Sequence, residues 1–234
     1  MKQIKILFIA ITFFSFSSSA QPGFLDTTFG DSGIIFTDLQ GSINTAILQN
    51  NGTIVAGGIG EDFVLASFLP DGTLNDGFGD RGLVKNIFTQ YTSQEVTKIV
   101  ALPEGKFITV GKGAKNNPYS EDILITRYMH DGKPDIAFGD SGRIVIDFGY
   151  DEFPTEMLLQ PDGKFVIRGT IVKDVSQAIV NVFVTRIFPD GSLDESFGNK
   201  GLSTWNGNVS TLSKGLALQQ DGKIVQISGI KGSY

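Results

Sequence analysis

The chain has no cysteine, one histidine and one tryptophan in 234 residues. Without cysteine there is no disulfide, thiol nucleophile, thiolate metal site or lipid-modified N-terminal cysteine, so an exported form would be held by strand pairing and packing alone. The lone histidine, His130, lacks the partners that catalytic triads and zinc sites require, and it stands where the aligned turns carry Pro70 and Pro189. It therefore reads as a turn residue. Basic charge is scarce as well: 19 Lys and Arg against 25 Asp and Glu give a net charge of −6. Duplex nucleic acid and anionic membrane are poor partners on that ground, since both need clustered cations, and no nucleic-acid partner is expected. The apolar run over residues 6–16 is too short to cross a bilayer, which takes about 20 apolar residues. It follows Lys2 and Lys5 and precedes Ser18, Ser19 and Ala20, the three-part pattern of a signal peptide over residues 1–20, with the mature chain starting at Gln21. Losing Lys2 and Lys5 leaves 17 bases against 25 acids, a charge of −8. The expectation is an exported protein, extracellular or at the cell surface, with the periplasm as the alternative and no membrane insertion.

What the chain has in abundance is repetition. GFLDTTFGDSG from Gly23, DGTLNDGFGDRG from Asp71, DGKPDIAFGDSG from Asp131 and DGSLDESFGNKG from Asp190 are near copies of one landmark. Its pairs Phe29-Gly30, Phe78-Gly79, Phe138-Gly139 and Phe197-Gly198 are spaced by 49, 60 and 59 residues. A second landmark has turn glycines at Gly52, Gly105, Gly163 and Gly222, spaced by 53, 58 and 59. A third, FVLASFLPDG from Phe63, ILITRYMHDG from Ile123 and VFVTRIFPDG from Val182, runs into the next copy of the first. Self-similarity at such a period means that each unit buries its apolar face against its neighbours. The units span roughly 23–70, 71–130, 131–189 and 190–234, in one elongated domain over 21–234.

Each unit divides into four short apolar runs between turn formers. In the third these are residues 143–148, 155–160, 164–169 and 180–188. Runs this short and rich in Ile, Val, Phe and Thr read as strands. In the Gln160-Pro161-Asp162-Gly163-Lys164 turn, Pro presets the first turn position and Gly takes the positive φ that other residues resist, so the second and third strands form a hairpin. The fold class is all-β, an array of four-stranded antiparallel blades of β-propeller type. With strands at 202–206, 214–218 and 223–228 in the last unit, the array amounts to about 3.75 blades. Without a cap it reads as an open arc or truncated propeller that self-associates through an exposed blade edge, with a closed four-bladed ring as the alternative.

With their landmarks in fixed order, residues 23–229 resemble the delta-60 repeat, a bacterial propeller-type repeat of unknown biochemical function. The resemblance implies a propeller-like fold and a surface location. It brings no catalytic or ligand residues.

The candidates for chemistry are few. Arg127 and Arg186 hold equivalent places, with Ser67 in the first unit, and read as long side chains covering a seam and pairing with a carboxylate. Trp205, aligned with Phe36 and Val145, reads as core. Asp71, Asp76 and Asp80, Asp131, Asp135 and Asp140, and Asp190, Asp194 and Glu195 gather around one loop per unit. They are weak candidates for a hard cation, because Asp-Gly serves turns and the alternating spacing of calcium loops is absent. The expectation is that no cofactor is needed and that stability ignores chelators. No glycine run has the strand-turn-helix setting of a phosphate cradle. The clearest break in the repeat, the connection over residues 112–122, carries few acid–base pairs. The reading is a secreted binding or scaffolding module for a glycan, polymer or protein, with no assigned catalytic residue. A propeller-based hydrolase or lyase, or an inactive fragment of a longer propeller, is the alternative. Phe29, Phe78, Phe138 and Phe197 are expected to be buried at equivalent seams.

Overall fold

The computed structural model describes residues 23–37, 40–60, 64–85, 88–116, 119–174, 179–206 and 215–229. The leader expected over residues 1–20 lies outside them, as do Asn117, Pro118 and Lys214. Among the described residues the regular structure is β, apart from one 3-10 turn at Pro103–Gly105, and no helix is long and apolar enough to cross a membrane. Strands β1 (Gly41–Leu48), β2 (Ile54–Gly60), β3 (Leu65–Phe68) and β4 (Leu83–Val84) make the first sheet. The second contains β5 (Ser93–Ala101), β6 (Phe107–Asn116), β7 (Tyr119–Tyr128) and β8 (Arg143–Ile146). The third contains β9 (Asp151–Leu159), β10 (Phe165–Asp174), β11 (Ile179–Ile187) and β12 (Leu202–Asn206), and β13 (Leu216–Leu218) pairs with β14 (Ile224–Gln226) as a hairpin. Every pairing is antiparallel between strands adjacent in sequence.

The sheets do not coincide with the sequence units. Each takes three strands from one unit and closes with the first strand of the next, because the first landmark folds as the long connection within a sheet, joining β3 to β4, β7 to β8 and β11 to β12. The chain changes sheet after β4, β8 and β12 instead. The strand expected around Phe36 is absent: Ile34 makes an isolated bridge to Asp31, and Phe36 is exposed.

Consecutive sequence units are tied by a backbone hydrogen bond at the landmark. The Gly30, Gly79 and Gly139 amides donate to the carbonyls of Asp71, Asp131 and Asp190, each at 2.8 Å. Gly79 sits at φ 57°, and a Cβ there would lie 2.1 Å from the Leu83 carbonyl oxygen, so glycine is required on two counts. Phe78 and Phe138 are fully buried. Phe78 stacks on Phe107 of the second sheet at 6.1 Å, and Phe138 joins Ile108, Ile125, Phe165 and Ile187 in the core between the second and third sheets.

Two burial expectations are corrected. Phe29 and Phe197 are only half-buried. Phe197 faces the two-stranded β13–β14 hairpin, which leaves a cavity of about 440 Å³ beside it, also lined by Val184, Trp205 and Ile224. No described strand precedes Phe29 to cover its outer side. Trp205 is not core: it is 48% exposed. The ladder pairs it with Val182 as it pairs Ile146 with Ile123, so its counterpart is Ile146, not Val145 or Phe36; Ile146 is buried, whereas Trp205 borders the cavity that the β13–β14 hairpin leaves open.

Candidate functional site

The acids gathered by the first landmark serve the fold. Asp71, Asp131 and Asp190 accept, through Oδ1, the amide hydrogens of Thr73, Lys133 and Ser192 at 2.9, 3.1 and 2.9 Å, the Asx arrangement of a turn. The Thr73 amide and then its hydroxyl hold the Asp71 carboxyl below the usual range, and the Ser192 hydroxyl and then its amide do the same for Asp190. Asp80 lies 3.7 Å from Arg81, Asp140 accepts from the Ser141 hydroxyl at 3.0 Å, and Asp76 and Glu195 are exposed. His130 is an exposed turn residue against Gly105, as Pro70 is against Gly52 and Pro189 against Gly163.

Asp135 and Asp194 anchor charged triads. Arg127 Nε and Lys106 Nζ both donate to Asp135 Oδ2 at 2.9 Å, while Arg186 and Lys164 reach Asp194 Oδ2 at 2.8 and 3.2 Å. The arginines lie over Phe138 and Phe197, at 4.8 and 4.7 Å from the ring centroids. Arg127 and Arg186 therefore have the seam-covering, carboxylate-paired role read from their alignment. Asp194 is held down to about 2, chiefly by the Ser196 hydroxyl, with Lys164 and Arg186 adding to this against the opposing effect of burial.

A different cluster departs from the repeat, at the seam between the second and third sheets. Asp122 lies early in β7, Asp147 in the connection from β8 to β9, and Glu152 early in β9. One oxygen from each carboxylate lies within 4.8 Å of one from each of the others. Tyr91 Oη and Lys115 Nζ both donate to Asp122 Oδ2 at 2.5 Å, and the Lys115 ammonium also sits 4.9 Å from the Tyr91 ring centroid. Glu152 Oε1 accepts the backbone amides of Phe148 and Tyr150 at 3.2 and 3.1 Å. Asp122 and Glu152 are both fully buried, and Asp122 Oδ1 and Glu152 Oε2 have no hydrogen-bond partner.

The surroundings set the protonation. Burial pushes Glu152 up to about 8, with Asp147 and Asp122 adding to the rise against the two backbone amides. Burial, then Asp122, raises the Tyr91 hydroxyl. Alongside, Lys112 bridges Glu121 and Glu95 at 3.1 and 3.8 Å and lies over the Phe153 ring. The long connection expected over residues 112–122 is instead strand: Lys112 and Lys115 lie in β6 and Glu121 and Asp122 in β7, paired up to Asn116 and Tyr119, which brings these bases and acids together.

The acids singled out from the landmarks form no three-carboxylate group among the described residues, and the group that does form uses none of them. Its members come from three elements with no recurring spacing, which is why sequence reasoning missed it. One signal was present: Glu152 aligns with Gln94. Gln94 accepts from the Phe88 amide at 3.3 Å and donates back to the Phe88 carbonyl at 2.8 Å. Glu152 keeps the equivalent acceptor bond, from Phe148, and brings an acid where the repeat has an amide.

A shallow cleft of about 540 Å³ opens beside β8, lined by Thr89, Gln90, Asp140, Ser141 and Arg143 over Ile144 and Val145. Comparison of the chain with protein-family models and with curated protein sequences finds no match.

Proposed function

We propose that the chain is an exported, non-catalytic binding or scaffolding module whose sheets are blades of a propeller-type array. The observation that carries this reading is the closure of the cluster on Asp122. Asp122 and Glu152 are fully buried and Tyr91 is 3% exposed, so of the three acids only Asp147 meets solvent and an extended substrate does not reach the buried pair. The charges that recur with the repeat are occupied in the Asp135 and Asp194 triads. The cleft beside β8 is solvent-open, and its hydroxyl, amide, carboxylate and guanidinium groups over an apolar floor suit a hydroxyl-rich ligand such as a glycan. Phe24, Phe36 and Leu48 are exposed around the first sheet and supply apolar surface for self-association.

A glycan array probed with the mature chain tests the reading. Binding to a defined set of glycans, lost in the Thr89→Ala/Gln90→Ala variant with an unchanged circular dichroism spectrum, is the expected result. Release of a cleaved product would turn the reading toward a hydrolase or lyase. Binding that survives the double substitution would remove the cleft as the site.

A further inference from the structure

We propose that Asp122, Asp147 and Glu152 bind a hard divalent cation of the Ca²⁺ class at the seam between the second and third sheets. The site stands apart from the glycan reading and does not depend on it. Three observations converge. The three carboxylates come from β7, the β8–β9 connection and β9, yet they present oxygens within 4.8 Å of one another. Oxygens on opposite sides of one Ca²⁺, each about 2.3–2.6 Å from the ion, are about 5 Å apart, so the arrangement fits a shared ion. Asp122 Oδ1 and Glu152 Oε2 are buried without a hydrogen-bond partner, a costly condition for a carboxylate that a cation relieves. Charge is consistent with this: with all three carboxylates ionised, as a bound cation would hold them, the single ammonium of Lys115 leaves two negative charges at the seam, which one divalent ion neutralises. Lys115 and Tyr91 occupy Asp122 Oδ2 and leave Oδ1 for the ion.

The site also has an entrance. Asp147 is exposed, so an ion can arrive from solvent on that side and keep water for the rest of its shell. With three protein carboxylates and water, affinity should fall in the weak range of extracellular calcium modules, a Kd of about 10⁻⁴–10⁻³ M. Bound there, the ion joins the second sheet, through Asp122, to the third, through Glu152.

The competing account places a proton on Glu152, which would then donate as the Gln94 amide does in the second sheet. Thermal melts of the mature chain after chelation, with Ca²⁺, Mg²⁺ or Mn²⁺ added separately at millimolar concentration, separate the two. The cation account expects a saturable rise in Tm, larger with Ca²⁺ than with Mg²⁺. Asp147→Asn, at an exposed position, should fold normally and weaken the response at least about tenfold in concentration. Glu152→Gln should raise the Tm of the chelated protein and abolish the response to cation. Mn²⁺ should broaden the amide resonances of residues 147–152 in the wild type and not in Asp147→Asn. A wild-type Tm indifferent to all three ions overturns the proposal and leaves the proton. A response unchanged by Asp147→Asn and removed by Asp76→Asn places the ion on the surface turns and overturns it equally.

Discussion

The seam at Phe78, between the first and second sheets, and the seam at Phe138, between the second and third, share one backbone and differ in chemistry. In both, the landmark amide bonds the next unit's Asp carbonyl at 2.8 Å, and the Asn75 and Asp135 amides bond the Ser67 and Arg127 carbonyls at 2.9 and 2.8 Å. The Phe78 seam is neutral. Phe78 stacks on Phe107, Phe107 on Tyr128 at 5.0 Å, and Asn75 donates to the Ser67 hydroxyl at 3.3 Å. At the Phe138 seam Ser67 becomes Arg127, Asn75 becomes Asp135 and Thr53 becomes Lys106, and these three make the ion pairs. Either solution satisfies its polar groups. A mixture would strand a charge beside a buried ring, so the three positions change together.

The largest effect expected is from the rings, and it should be the same in both seams. Phe78→Ala and Phe138→Ala should each cost about 4 kcal/mol in urea unfolding, since both rings are fully buried. Half-buried Phe197 should cost about half as much. An equal loss at Phe197 would mean that the seam beyond β12 is as closed as the inner ones.

Breaking one member of the charged set comes next. Asp135→Ala leaves Lys106 and Arg127 facing each other and should cost about 3 kcal/mol, against about 1 kcal/mol for Asn75→Ala. Installing the first unit's set at the second seam, Lys106→Thr with Arg127→Ser and Asp135→Asn, should cost less than Asp135→Ala alone, by about 1–2 kcal/mol. A triple variant less stable than the single would break the view of two interchangeable solutions.

The charged triads should also make stability respond to acid. Asp194 has a folded pKa of about 2, below its unfolded value, so its contribution is complete above about pH 4 and fades as pH falls toward 2. Denaturant melts should show that loss in the wild type and a shallower slope in Asp194→Asn. Asn75→Asp should add no equal slope at the neutral seam, where Ser67 and Thr53 offer no cation. The smallest change expected is one both seams share: Arg81 and Ser141 hold φ of 49° and 53° at the same landmark position. Arg81→Gly and Ser141→Gly should each stabilise by about 0.5 kcal/mol, and unequal gains would show that the landmarks are not equivalent.

The strands of the third unit were legible to within a few residues at most ends, because the apolar runs and the Gly163 turn are local signals. Sheet membership was not, since β4 is only Leu83–Val84 and the ladder, rather than the repeat, decides which strands pair. Trp205 read as core, and its ladder counterpart Ile146 is core; what the sequence did not show is that only a two-stranded hairpin lies beyond β12 to cover it. The arginine–aspartate pairs could be read from alignment, whereas Asp122, Asp147 and Glu152 meet only through the packing of β7 against β9.

The clips from Gly30 to Asp71, Gly79 to Asp131 and Gly139 to Asp190 have a mechanical consequence. They lie one after another along the array, each joining a unit to the next through a single peptide hydrogen bond supported by its seam. In an open arc, tension applied between the ends should pass through every seam in turn and meet the same backbone geometry at each, so that the weakest side-chain filling decides where the array parts first. Under load such links in series should give way one unit at a time, a stepwise record that single-molecule pulling would read.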